Sequence, residues 1–203
     1  MSDQLSLPIG GEQLPHGGSA ILHPSALSAS EADAAYDELI EHEPWEENHI
    51  TMFGRTVAEP RRSVWHADDG LSYTYSSRRR RVIDWSPLLL DLKRRCENLA
   101  RCEFNGVLVN LYRDGHDHMG WHADNESNLG PTPVIASLSL GVERRFELRH
   151  RVTSEVVRFP LGHGSILVMS GDCQNQWVHR LPKQSRVVAP RINLTFRHLL
   201  WGS

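Results

Sequence analysis

"PRINLTFRH", Pro190 to His198, is the stretch on which the fold turns. Side chains alternate across a strand, so Arg191, Asn193, Thr195 and Arg197 share one face while Ile192, Leu194 and Phe196 share the other. The apolar face has to pack into a core. The polar face carries an arginine at each end with Asn and Thr donors between them, a track for an elongated anion with two negative ends. Guanidinium forks bind carboxylate bidentately, and two such charges inside a cavity would need that partner. A half-exposed strand with its polar face in water is the plain alternative.

The same period of two extends back to Asn105. "GVLVNLY" (Gly106–Tyr112), "VIASLSLG" (Val134–Gly141), "RRFELRH" (Arg144–His150), "EVVRFP" (Glu155–Pro160) and "GSILVMS" (Gly164–Ser170) are short strand-like runs divided by Gly, Pro, Asn and Asp. Asn110 and Tyr112 form a second polar face, or a satisfied pair in the core. Upstream the pattern is helical. Ser28 with Glu31 has capping-box spacing ahead of "ASEADAAYDELIEH", and Ser86-Pro87 opens "LLLDLKRRCENLA". Helices first and short strands afterwards predict a mainly β (α+β) chain. Its core is a β-sandwich or jelly roll with the N-terminal helices packed outside. Residues 1–18, rich in Gly, Pro and polar side chains, read as a disordered tail before a single domain over 19–203.

Composition narrows the function classes. The chain has 203 residues, 39% hydrophobic and 23% charged, enough for one domain with a sizeable core. No apolar run approaches a membrane span, and no secretory signal is visible. Cys96, Cys102 and Cys173 are odd in number and unpatterned, which points to a reducing cytoplasm. A net charge of −3 does not advertise a nucleic-acid binder. Arg61–Arg62 and Arg78–Arg81 are nevertheless concentrated cations, and taken alone they read as a solvated basic face.

"DGHDHMGWHAD", Asp114 to Asp124, points to a metal and offers too many ligands for one ion. Helical His118/His122 spacing is opposed by Gly115 and Gly120. A His116/His118 pair lies in a turn and lacks a following Glu. There remains His122-Ala-Asp124, whose spacing puts both side chains on one side of an extended segment. A distant histidine would complete the set, and two His with one carboxylate leave three positions open on iron. His179 lies twelve residues before Arg191, within reach of the arginine strand by a short turn. His150 and His163 do not stand in that relation to the strand.

Taken together, H-x-D, the distant His and R-x-N-x-T-x-R resemble the AlkB family of Fe(II)/2-oxoglutarate dioxygenases. The resemblance runs from about Met52 to Phe196 and includes "NLYRDG", "WHAD", "PVIASLSLG", "HGSILVM" and "APRINLTFR". It implies a double-stranded β-helix (jelly-roll) core over 105–203, with helices and nucleotide-recognition hairpins over 19–104. It implies Fe(II) on His122, Asp124 and His179, with O2 and the cosubstrate 2-oxoglutarate completing the site. Asn110, Tyr112 and Arg191 would hold the distal carboxylate of 2-oxoglutarate. Asn193 and Arg197 would hold the chelating end, with Thr195 on the same face.

The implied activity is oxidative demethylation of N-alkylated bases such as 1-methyladenine and 3-methylcytosine in DNA. The products are formaldehyde, succinate and CO2. Met52 and Phe53 match a base-stack wedge, and Tyr73, Tyr75 and Glu126 match the base pocket. Arg61, Arg62, Arg78, Arg79, Arg80 and Arg81 would then contact the backbone of single- or double-stranded alkylated DNA. The expected protein is a monomer without a membrane partner. The rival readings are the same chemistry on RNA, protein or a small molecule, and a non-enzymatic cupin-like binding module.

Overall fold

Both long helices begin at the caps that the sequence marks. In the computed structural model, which describes residues 12–52, 55–69, 71, 74–75, 78–79 and 81–200, α1 spans Ala29–His42. The Ser28 side chain accepts from the Glu31 main chain while Glu31 reaches back to the main chain of Ser28. Helix α2 (Pro87–Ala100) has Ser86 as its cap and proline in its first turn.

The strands before α2 are β1 (Glu12–Gln13), β2 (Ser19–His23), β3 (Glu46–Met52), β4 (Arg55–Ala67), β5 (Thr74–Tyr75), β6 (Arg78–Arg79) and β7 (Val82–Ile83). After it come β8 (Gly106–Tyr112), β9 (Met119–His122), β10 (Ile135–Gly141), β11 (Arg144–His150), β12 (Val156–Leu161) and β13 (Ser165–Ser170). The short helix α3 (Cys173–Gln176) precedes β14 (Trp177–Leu181) and β15 (Arg191–Arg197).

Among the described residues the larger sheet runs β1-β2-β13-β10-β15-β8-β4-β3, with β7 alongside β4. The smaller sheet runs β12-β11-β14-β9, and β5 pairs with β6. Each period-two run identified in the sequence becomes a strand. The larger sheet has two different faces. Ile192, Leu194 and Phe196 of β15, with Val107, Val109 and Leu111 of β8, pack against Ala32, Ala35 and Leu39 of α1 and Leu89, Leu92 and Cys96 of α2. On the opposite side Ile135, Leu167 and Met169 meet Phe146, Leu148, Val157, Phe159 and Trp177 of the smaller sheet. The result is the jelly-roll sandwich with helices outside.

The period-two reading begins at Asn105, and the structure adds strands before it. Strands β3 and β4 pair antiparallel and extend the larger sheet through β8, in the region where the resemblance implies hairpins. Alternation in β4 is hard to see because the buried residues of its first half, Glu59 and Arg61, are charged and residues 63–67 are all buried. Pro60 is accommodated because β4 joins β8 only from Arg62 onward, and the β3 register slips at the same point.

Residues 12–18, assigned to a tail, are instead a docked strap. Leu14 is buried, its N–H donates to the Gly18 carbonyl at 2.9 Å, and Trp177 Nε1 donates to the Gly17 carbonyl at 3.0 Å. The Gly17-Gly18 pair that looked like linker composition supplies two positive φ angles, +93° and +81°. Residues 1–11 lie outside the described residues.

Gly18→Ala tests the strap. A Cβ there would lie 2.5 Å from the Cys173 main-chain nitrogen, on a backbone whose φ disfavours side chains. Left-handed strain and overpacking together cost about 2–4 kcal/mol, roughly 5–15 °C in melting temperature for a domain this size. An unchanged melt would remove the strap from the stabilising contacts.

Candidate metal and anion site

Three side chains from two neighbouring strands and the loop that follows one of them meet between the sheets. His122 on β9 stands opposite His179 on β14 in the ladder. Their Nε2 atoms lie 3.1 Å apart, and the ligand atoms of His122, Asp124 and His179 all lie within 4.8 Å of one another. His122 Nδ1 is 2.8 Å from the Gly120 carbonyl, which can only accept, so Nδ1 carries the proton and Nε2 presents a lone pair. His179 Nε2 can meet that lone pair as an N–H donor in one neutral tautomer, or present a lone pair of its own with a metal ion between the two nitrogens. This donor set fits a divalent metal with three facial positions left open.

The electrostatics suit such an ion. Burial lowers the His122 pKa, and it pushes His179 down to about 3, so both rings are neutral near pH 7. Burial opposes ionisation of Asp124. The Arg197 guanidinium, with both imidazoles, outweighs it, and the carboxyl stays below the ordinary aspartate range. Arg197 Nη2 donates to Asp124 Oδ1 at 2.9 Å, with both residues buried. His116 and His118 stay apart from this group. His116 is exposed beside Asp114, and His118 Nδ1 bonds the His116 carbonyl at 2.9 Å.

The anion track lines the same cavity. Arg61, Asn110, Tyr112, Arg191, Asn193, Thr195 and Arg197 all contribute to its wall, with Leu108, Met119, Phe146 and Leu181 as apolar lining. Arg191 is 2% exposed. It donates to Ser139 Oγ at 2.8 Å and lies 5.5 Å from the centre of the Tyr112 ring, and its Nε meets no acceptor. Burial pulls this guanidinium down to about 10. A buried cation whose Nε is unused and which no carboxylate among the described residues pairs is a fit for an incoming carboxylate. Asn193 donates to Ser137 Oγ at 2.8 Å and to the Leu138 carbonyl at 3.1 Å, and accepts from Thr195 Oγ1 at 3.0 Å.

Arg61 departs from the sequence reading. It is 4% exposed, donating to Asn110 Oδ1 at 3.0 Å and paired with Glu59 at 3.1 Å. It belongs to the cavity wall and not to a phosphate-facing surface, because its position on β4 alternates inward. Arg62 and Arg81 are exposed. Glu126 is half-buried where the chain enters the 3-10 turn at Ser127–Leu129. Met52, Tyr75, Arg78 and Arg79 lie in strands whose side chains are not described, and Phe53, Tyr73 and Arg80 lie outside the described residues.

Sequence reading missed Ser137, Ser139 and Gln174. The two serines could have been found, since they alternate with Ala136, Leu138 and Leu140 in "ASLSL". Gln174, on the four-residue helix α3, has no periodic signal.

Comparison with known proteins agrees with this geometry. The family model described as the 2OG-Fe(II) oxygenase superfamily matches residues 19–197. The chain is 39% identical to the bovine (Bos taurus) "Alpha-ketoglutarate-dependent dioxygenase alkB homolog 3" over 87% of its length, and spans 64% of that relative. It is 40% identical to the "DNA oxidative demethylase ALKBH2" of Mus musculus, covering 84% of this chain and 76% of that one. Among solved structures, that of OsALKBH1 has a TM-score of 0.62 at 15% identity, covering 88% of this chain and 97% of the other. A prolyl hydroxylase from Trichoplax adhaerens, in complex with a peptide fragment of the hypoxia inducible factor oxygen degradation domain, has a TM-score of 0.63 at 12% identity. That match covers 89% of this chain and 83% of the other. These two structures share the fold.

The buried imidazole predicts an acid limb. His179 titrates near 6.5 when unfolded and at about 3 when folded. The unfolded chain therefore takes up a proton that the native chain refuses, and stability falls as pH drops from 6.5. The slope is about 1.4 kcal/mol per unit from this group. Urea melts of metal-free protein between pH 7.5 and 5 should show at least that slope, to which His122 adds in the same direction, and His179→Gln should reduce it. Equal slopes would rule His179 out as the source.

Proposed function

The chain belongs to the 2OG-Fe(II) oxygenase superfamily and, within it, to the AlkB family, and we propose that it oxidatively demethylates alkylated DNA bases. The observation that carries this is the pairing, in one cavity, of a His-Asp-His donor group with a buried arginine that no carboxylate among the described residues pairs. His122, Asp124 and His179 would hold Fe(II). Arg191, Tyr112 and Asn110 would hold the distal carboxylate of 2-oxoglutarate, with Arg197, Asn193 and Thr195 at the metal end. Iron with this cosubstrate and O2 supplies an oxidation that hydroxylates an N-methyl group, and the hemiaminal collapses to formaldehyde and the repaired base, with succinate and CO2 as coproducts.

The chain's own part is binding and exclusion of water. Arg197 keeps Asp124 ionised and aimed, and the Gly120 carbonyl fixes the His122 tautomer. Leu108, Phe146 and Leu181 keep the wall apolar, which strengthens every charge interaction inside. The chemistry asks for no general base.

The name of the Mus musculus relative, a DNA oxidative demethylase, supports a DNA substrate, and a base must leave the stack to reach a site between sheets. In this reading Met52 and Phe53 form the wedge, Tyr73, Tyr75 and Glu126 line the base pocket, and a carboxylate there favours cationic lesions of the 1-methyladenine and 3-methylcytosine type. Arg62 and Arg78–Arg81 would follow the backbone of single- or double-stranded DNA. The protein would act as a monomer in a reducing, cytoplasmic setting.

Incubation with Fe(II), 2-oxoglutarate and a 3-methylcytosine oligonucleotide should release formaldehyde in step with succinate, and Asp124→Ala should abolish both. Succinate without turnover of any methylated nucleic acid would move the substrate elsewhere. Arg191→Met separates binding from folding. Arg191 is buried without a carboxylate partner among the described residues, so methionine there should leave the fold intact. The thermal shift given by 2-oxoglutarate to the parent protein should vanish in this variant. A retained shift would place the cosubstrate's distal end on another group.

A further inference from the structure

Asp124 lies beyond the end of a strand. β9 stops at His122, so the Asp124 N–H has no ladder partner, although the residue is buried. A buried backbone donor needs an acceptor. It finds Gln174 Oε1 at 3.0 Å, fifty residues further along the chain. Gln174 is itself 1% exposed. Its amide cannot be reversed, because only the carbonyl oxygen accepts and the main-chain N–H can only donate. The amide nitrogen is then left facing Met169 Sδ at 3.7 Å, a weak acceptor on the cavity wall.

Arg197 holds the Asp124 carboxylate from β15 while Gln174 holds its main chain from α3. Neither grip is sufficient alone. The ion pair leaves the backbone of residues 123–125 free to turn about the carboxylate, and the amide contact fixes no side-chain torsion. We propose that Gln174 is a positioning residue for the metal, acting through Asp124; this rests on the reading of His122, Asp124 and His179 as the metal ligands. Helix α3 is in turn seated by the N-terminal strap. Gly18 passes so close that a Cβ would meet Cys173 main-chain atoms, and Trp177, the residue after α3, is tied to Gly17. The placement of the aspartate therefore depends on a contact chain that starts some hundred residues before it in sequence, at the strap.

The test is Mn(II) affinity, measured by electron paramagnetic resonance without cosubstrate or substrate. Gln174→Met keeps length and packing and removes the acceptor. It should weaken Mn(II) binding about 10–100-fold, the range for groups that orient a ligand from behind, with circular dichroism unchanged. Gln174→Asn keeps an amide one methylene too short to reach, and should lose affinity similarly if the methionine variant does not fold. Parental affinity in either folded variant overturns the proposal. Asp124→Ala separates this failure from a failure of the metal centre. If it binds Mn(II) as well as the parent does, the ligand assignment falls, and the role of Gln174 falls with it.

Discussion

The Arg197–Asp124 ion pair is the constraint around which the interior is arranged. Each partner is almost wholly removed from water, and neither charge would be tolerable there without the other. The pair binds the last residue of the central strand β15 to the loop leaving β9, and so joins the two sheets at one end of the cavity. Around it the two imidazoles are driven neutral by burial. A carboxylate kept ionised beside neutral nitrogen donors is what a divalent cation of borderline softness requires, and sequestering it from solvent costs stability that the surrounding apolar layers offset.

Much of this was legible in the chain. In "RINLTFR" the alternation of charge and hydrocarbon specified both what the strand would bury against α1 and α2 and what it would present to the cavity. The capping signals at Ser28 and Ser86 located both helices, because capping is local chemistry. H-x-D spacing works for a similar reason, since an extended backbone maps i and i+2 to one side without tertiary knowledge.

The illegible parts depend on distant contacts. Glu59 and Arg61 look like surface charge in "AEPRRS", and only the pairing of β4 with β8 turns them inward against Asn110. Gly17-Gly18 looks like linker until Trp177 supplies the donor that fixes it. Gln174 matters because a strand ends two residues early elsewhere, which no pattern around Gln174 itself records. Ser139 is intermediate. Its periodicity was visible, but its purpose required Arg191 to lie across the ladder.

The sheet order has a consequence for how such a protein can diverge. The His122–Asp124–His179 group and the polar faces of β8 and β15 all come from a continuous stretch between β8 and β15, whereas β3 and β4 are added to the rim of the larger sheet beyond β8. Exposed residues on that rim can change in size or charge without displacing the side chains that line the cavity. Arg61 is the thread between the two parts, a side chain of the added strands that grips a residue of the cavity. Glu59, Ser63, Trp65 and His66 of the same strand are buried with it, so the rim is open to change only at its exposed positions.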